Sequence, residues 1–459
     1  MNRPLYLIML CAIALLFMAC ENDSPIVPIP EPEPDPPSPV DTTVAEVPYS
    51  KTLPVLFINT VDSLPIDSKD VYCQAQWWLD NMGDTRFESI GSSTYPLGMQ
   101  IKGRGNATWT NLEKKPYRLK FDQKHELLGM PSSRHWVLMA NAEYWMGQLN
   151  DALPFEIGRR MGMAWNPRME PVEVVLNGDY IGLYFLTEKI RVAKDRVNIE
   201  EQNDYEIDPE RVTGGWLLEI DNYIEPENIT FVEGDGMPFW VTPHSPEHLS
   251  PVQREYITNF LLAANEAIYC SDKSSTEWEK YIDIDSLAIF YIVQEAVDNP
   301  EAFSGSCYMY KRQGEDTKLV FGPLWDCGSS FHRFASTYEF DEYIYENLPS
   351  YCRSRWIHEI AKFPHFQERV RYYWKKFFDQ VYPGMDDFME AFVARIEIAG
   401  NYDHKRWPQY SSDNITARMR AFEKPCFHKK VEWLNRQWGD DAERIHVNKD
   451  GAIEKGWRQ

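Results

Sequence analysis

The chain has 459 residues, ample for a sizeable core and for two or three domains or one large one. A formal net charge of −23, with no polybasic run, argues against a nucleic-acid backbone as partner. Aromatic residues make up 14%, including 16 Trp and 25 Tyr, which suits irregular core contacts or stacking on sugar rings.

Residues 1–19 read as an export signal, with Arg3 ahead of an apolar run from Leu5 to Ala19. The run ends in Phe-Met-Ala-Cys, and Cys20 placed there resembles the lipidated first residue of a bacterial lipoprotein. An ordinary secretory signal or membrane anchor is the competing reading, and export to an envelope compartment follows from either. Residues 20–48 alternate Pro with acids through their middle, which predicts an extended polyproline II tether with a reach of roughly 80 Å at about 3.1 Å per residue. The expected location is therefore the cell envelope, lipid-anchored at the outer membrane on its periplasmic or surface face. Of the eight cysteines, those beyond Cys20 are irregularly spaced with no C-x-x-C, which argues against a zinc site. Cys307 and Cys327 are the first candidates for a disulfide, with buried thiols equally in keeping.

Ordered structure is expected from residue 49, β-rich over 49–248 and helical over 249–459. LPVLFINT, VYCQAQWWLD and LGMQIKGRG alternate as strands do. Gly103-Arg104-Gly105 then precedes KKPYRLKFD, whose Lys115 and Lys120 can neutralise a phosphate that backbone N–H groups approach. Taken alone, G-x-G is a weak signal, frequent in turns. Residues 148–162 predict a helix ending at Gly162. VEVVLNGDYIGLYFLTEKI (172–190) predicts a hairpin turning at Asn177-Gly178 and ending near Glu188, and GGWLLEIDNY a buried strand. From Ser250 onward the apolar residues recur at helical spacing. One hairpin interrupts them, YMYKR and KLVFG around QGEDT, flanked by Asp298 and Asp326. Two acids on one hairpin can face one cleft, as base and metal ligand do in phosphoryl transfer; a helix-end Asp and a turn Asp are the plain alternative. The fold class is α+β.

The blocks IKGRGNATW, KKPYRLKFD, RHWVLMAN, VEVVLNGDYIGLYFLTEKIRVAKDRVNI, GGWLLEIDNY and DNPEAFSGSCYMYK…GPLWDCGSSF, taken in this order, resemble the CotH kinase family, the spore-coat-protein-H-like proteins. The resemblance implies an atypical protein-kinase-like fold with the catalytic hairpin between its halves, and ATP- and Mg²⁺- or Mn²⁺-dependent phosphorylation of protein substrates. It implies that Gly103, Arg104 and Gly105 lie on the nucleotide side and that Lys115 or Lys120 binds ATP with Glu188 as partner. Asp298 becomes the catalytic base and Asp326 the metal ligand. This chain departs from the family pattern at Gly328, at Ser306 and Cys307, and at Trp145 and Asn150. A catalytically inactive scaffold binding a surface glycan or protein is the second hypothesis. Hydrolysis by paired carboxylates or by a serine elbow finds little support in these motifs.

Overall fold

The computed structural model describes residues 49–142, 147–223, 225–232, 238–331, 343–347 and 356–440. The leader, Cys20, the tether, Trp145 and Cys352 lie outside them. The fold is mixed α+β, β-rich in its first half and helical in its second.

Seven strands close into a barrel: β1 (Val55–Thr60), β2 (Cys73–Asp80), β3 (Leu97–Gly103), β4 (Tyr117–Leu127), β5 (Met130–Met139), β6 (Met169–Leu176) and β7 (Asp179–Glu188). All neighbours are antiparallel except the closing pair, where β1 runs parallel to β6. Alternation along β4 turns Tyr117, Leu119 and Phe121 into the barrel, where Phe121 stacks on Trp77 at 4.1 Å, and leaves Arg118 and Lys120 outside. The β6–β7 turn is as expected, with Asn177 and Gly178 both at positive φ. Leu128 and Gly129 make the same kind of turn between β4 and β5.

The chain enters the barrel at a buried acid. Glu173 on β6 accepts from the Ser50 N–H at 2.9 and 3.0 Å, the Ser50 hydroxyl at 2.6 Å and the Tyr180 hydroxyl at 2.9 Å.

A second sheet, ordered β12-β11-β8-β10-β9, is built from β8 (Trp216–Ile220), β9 (Ile229–Val232), β10 (Pro238–Ser245), β11 (Cys307–Lys311) and β12 (Leu319–Phe321). The hairpin read from the sequence is therefore β11–β12, and it joins this sheet through β8. Cys307 and Cys327 are free thiols, each buried among apolar side chains of the main core, so of the two readings of this pair the buried thiols hold.

Of the helices, α1 (Ala107–Asn111) and α2 (Leu149–Met161) belong to the first half. Ser250 opens the second half with a capping box at α3 (Pro251–Ile268). Next, α4 (Ile284–Ala296) is buried on every side from Leu287 onward, as its unbroken apolar run requires. The long stripe after residue 355 is divided between two helices. Pro364 can start a helix but not continue one, so α5 (Trp356–Ile360) gives way to α6 (Pro364–Lys376). Then follow α7 (Met385–Arg406), α8 (Ile415–Ala421) and α9 (Glu423–Trp438), the last two parted at Phe422. Asp403 of α7 docks on the barrel, taking the Leu183 N–H at 2.9 Å and the buried Lys114 ammonium at 2.8 Å. No described helix is long and apolar enough to cross a membrane.

Candidate functional site

A cleft of about 730 Å³ lies between the outer face of the barrel and the second sheet. Its barrel side carries Arg104, Arg118, Lys189 and Arg191 with His135; its other side carries Tyr308, His244 and Trp325. Crowding shows in the titrations. Lys189 is held down at about 7 by burial and by Arg118 and Arg191, and His135 at about 3 by burial and the cations around it. Cations placed so close repel one another, and a polyanion entering the cleft would relieve that repulsion.

The Gly-Arg-Gly turn supplies one of these charges. A Cβ at Gly103 would stand 2.4 Å from the Trp109 ring, and Gly105 has φ +84°, so both glycines are required by the turn itself. The N–H groups of Gly103 and Arg104 are already spent on the carbonyls of Ser68 (2.9 Å) and Pro116 (3.2 Å). Two N–H groups of the turn are thus already engaged, and the turn presents the Arg104 guanidinium 5.6 Å from the Trp325 ring.

Asp326 follows Trp325 in a left-handed conformation, φ 54°. Its carboxylate is open to solvent, yet set so deep in the wall that lost hydration raises its pKa. Glu301 and Glu219 push the same way, while Arg104 and the Ser306 hydroxyl, 3.3 Å away, oppose them. The first turn of α2 clamps the segment that follows. Asn150 donates to the carbonyls of Gly328 (2.6 Å) and Ser330 (2.9 Å), and Asp151 accepts the Cys327 N–H at 2.8 Å. Asn150, one of the departures from the family pattern, is thus a backbone clamp.

Asp151 was not singled out from the sequence. Burial, then the nearby charge of Asp326, push it up to about 7. The folded state therefore binds a proton that the unfolded state, at the usual 3.8, has released. Stability held below about pH 4 is lost as pH rises toward 7. Three units correspond to at most about 4 kcal/mol, and about half survives realistic relaxation. Asp151→Asn should accordingly raise the melting temperature at pH 8 by about 4 °C and leave it unchanged near pH 4. An equal shift at both pH values would show that charge is not the cause.

Among the described residues no three His, Cys, Asp or Glu side chains gather to hold an ion, and Gly328 adds no ligand. Asp326 is near enough for its charge to raise the pKa of Asp151, and two such carboxylates could serve a Mg²⁺ that takes the rest of its shell from phosphate and water.

The other expected site residues stand elsewhere. Lys115 donates to the Trp109 carbonyl at 2.6 Å and lies over that ring, so it braces the turn. Lys120 is exposed, 5.9 Å from the Tyr72 ring. Glu188 is fully buried and paired with Arg196 (2.8 Å) and Arg168 (3.1 Å), not with either lysine, because its place on β7 opposite Trp136 turns it away from the cleft. Asp298, at φ 50° after α4, has no exposed surface. Lys430 of α9 lies 3.1 Å from it and 2.9 Å from Glu295, all three at 0% exposure.

A family model described as CotH kinase protein matches residues 101–438, taking in most of the barrel, the second sheet and the helical half. No curated protein matches the chain.

Proposed function

The chain belongs to the CotH kinase family, and from that premise we propose that it transfers a phosphoryl group from ATP to a protein substrate in the cleft between barrel and second sheet. The observation that carries the reading is the gathering of Arg104, Arg118 and Lys189 in one cleft, with Asp326 next in the chain to Trp325 of its lining and within reach of the Arg104 charge. Those cations bind and orient the triphosphate, and Arg104, which senses Asp326, brings its terminal end toward that carboxylate. Mg²⁺ or Mn²⁺ on Asp326 and Asp151 would supply neutralisation of the charge on the transferred group. Trp325 and Tyr308 wall the cleft and limit the water that competes with the acceptor.

A second reading is a kinase-like scaffold without turnover that binds surface glycan or protein. The enclosure of Asp298 by Lys430 and the missing ligand at Gly328 favour it. Calorimetry of ATP binding with Mg²⁺ and Mn²⁺, paired with transfer from radiolabelled ATP, separates the two. Saturable metal-dependent binding with transfer is expected. Absence of any nucleotide binding ends the kinase reading and leaves the scaffold to glycan and protein screens.

The same proposal places the protein in the cell envelope, held at the outer membrane by lipid on Cys20 with residues 21–48 as spacer. Cys20→Ala should release the chain from the membrane fraction or block its maturation. Unchanged fractionation together with an unlipidated wild-type N-terminus would refute this.

A further inference from the structure

Because Lys430 encloses Asp298, the proton acceptor for a hydroxyl substrate must be sought among groups the cleft exposes. We propose that His244, oriented by Glu219, accepts that proton, an assignment that rests on the kinase reading.

Three features converge on it. The β8–β10 ladder pairs Pro243 with Leu218 and Ser245 with Leu217, so His244 is the extra residue of a bulge. A bulge re-aims the side chain it carries, and His244 lines the cleft wall with Tyr308 and Trp325. Its Nε2 lies 2.5 Å from a Glu219 carboxylate oxygen. In the tautomer that donates from Nε2 to this oxygen, the neutral ring carries its lone pair on Nδ1. Nδ1 has no hydrogen-bond partner among the described residues. The ring is further fixed against Tyr308, 5.4 Å away at 32°, whose hydroxyl bonds the same Glu219. A carboxylate orienting an imidazole that lines an open cleft is the general-base arrangement.

The step balances within the site. As the acceptor oxygen bonds to the γ-phosphorus, the bond from that phosphorus to the bridging oxygen breaks and ADP leaves with its electron pair. The hydroxyl proton passes to Nδ1. The ionisable groups packed around the imidazole are Glu219 of β8, Asp221 just after that strand and Tyr308 of β11. Arg104, Arg118, Lys189, Arg191 and His135 stand on the barrel side of the cleft, and Glu201, Asp204 and Glu247 on its remaining wall.

The experiment uses the purified full chain with Mn²⁺ and radiolabelled ATP, reading transfer to water and to dephosphorylated casein alongside calorimetric ATP affinity. His244→Gln keeps a donor for Glu219 but lacks the base. It should lower kcat about 100-fold while ATP affinity stays within about twofold. Added imidazole should restore part of the rate to His244→Ala, which a purely structural histidine would not allow. The retained ATP affinity shows that His244→Gln is folded. Unchanged kcat in His244→Gln or failure of imidazole rescue overturns the assignment alone. Wild-type ATP binding without transfer also overturns it, and no ATP binding at all overturns the kinase reading with it.

Discussion

Lys430→Met should destabilise the protein by about 3–5 kcal/mol or more, the range for breaking a buried ion pair. The ammonium lies 2.9 Å from Glu295 and 3.1 Å from Asp298, and none of the three is exposed. Methionine fills much of the same space but removes this ammonium from both carboxylates. Burial already raises the pKa of Glu295, and the Lys430 charge is the largest influence lowering it. Without Lys430 its folded pKa climbs further above the unfolded value, so remaining stability is held at low pH and lost as pH rises. The gap in melting temperature between variant and wild type should therefore widen from pH 5 to pH 8. Converting both acids to amides in the Lys430→Met background should recover most of the loss, because a neutral cluster no longer needs a counter-charge. A loss below about 1 kcal/mol, or one independent of pH, would mean the triad is not a closed ionic unit. Asp298→Ala, which on the sequence reading should separate nucleotide binding from turnover, must be scored with this stability loss in view.

The larger effect on activity belongs to Asp326→Ala. Asp326 is the solvent-open carboxylate of the pair, whereas Asp151 is enclosed and already engaged with the Cys327 N–H. On the proposed reading, removing Asp326 takes away the accessible charge and an oxygen ligand of the proposed hard-cation site together. Metal-dependent ATP affinity should fall at least about 100-fold, some 2.7 kcal/mol, and transfer should vanish. Weak metal-independent binding through Arg104, Arg118 and Lys189 should remain. If affinity in Mn²⁺ drops no further than affinity in chelator, Asp326 does not hold the ion.

The barrel hairpins show what local sequence conveys and what it withholds. Asn177-Gly178 announced its turn because both residues tolerate positive φ. Leu128-Gly129 adopts the same geometry without that signature, held by pairing of β4 with β5. Barrel closure could not be read at all, since the parallel contact of β1 with β6 joins residues more than a hundred positions apart. The motif residues were found more readily than their roles. Gly103 and Gly105 are where the pattern put them, but only the side chain between them reaches the cleft. Lys115 and Glu188 differ from expectation because partners distant in sequence, or a backbone carbonyl, claim them first. One signal was present and passed over. Lys430 falls on the apolar stripe of α9 with Phe427, Val431 and Leu434, and a lysine there demands a buried acid. Asp151, buried in the first turn of α2, carries the same kind of sign.

The seat of Ser50 on Glu173 bears on mechanics. Any pull applied to the chain ahead of Tyr49 enters the fold at Ser50, where three hydrogen bonds to one carboxylate meet it. Beyond that grip the load runs along β1, whose ladders to β2 and β6 lie across the direction of force. They must shear together rather than unzip one at a time. Tension applied at the N-terminus is thus met first at the barrel seam, on strands other than those that line the cleft.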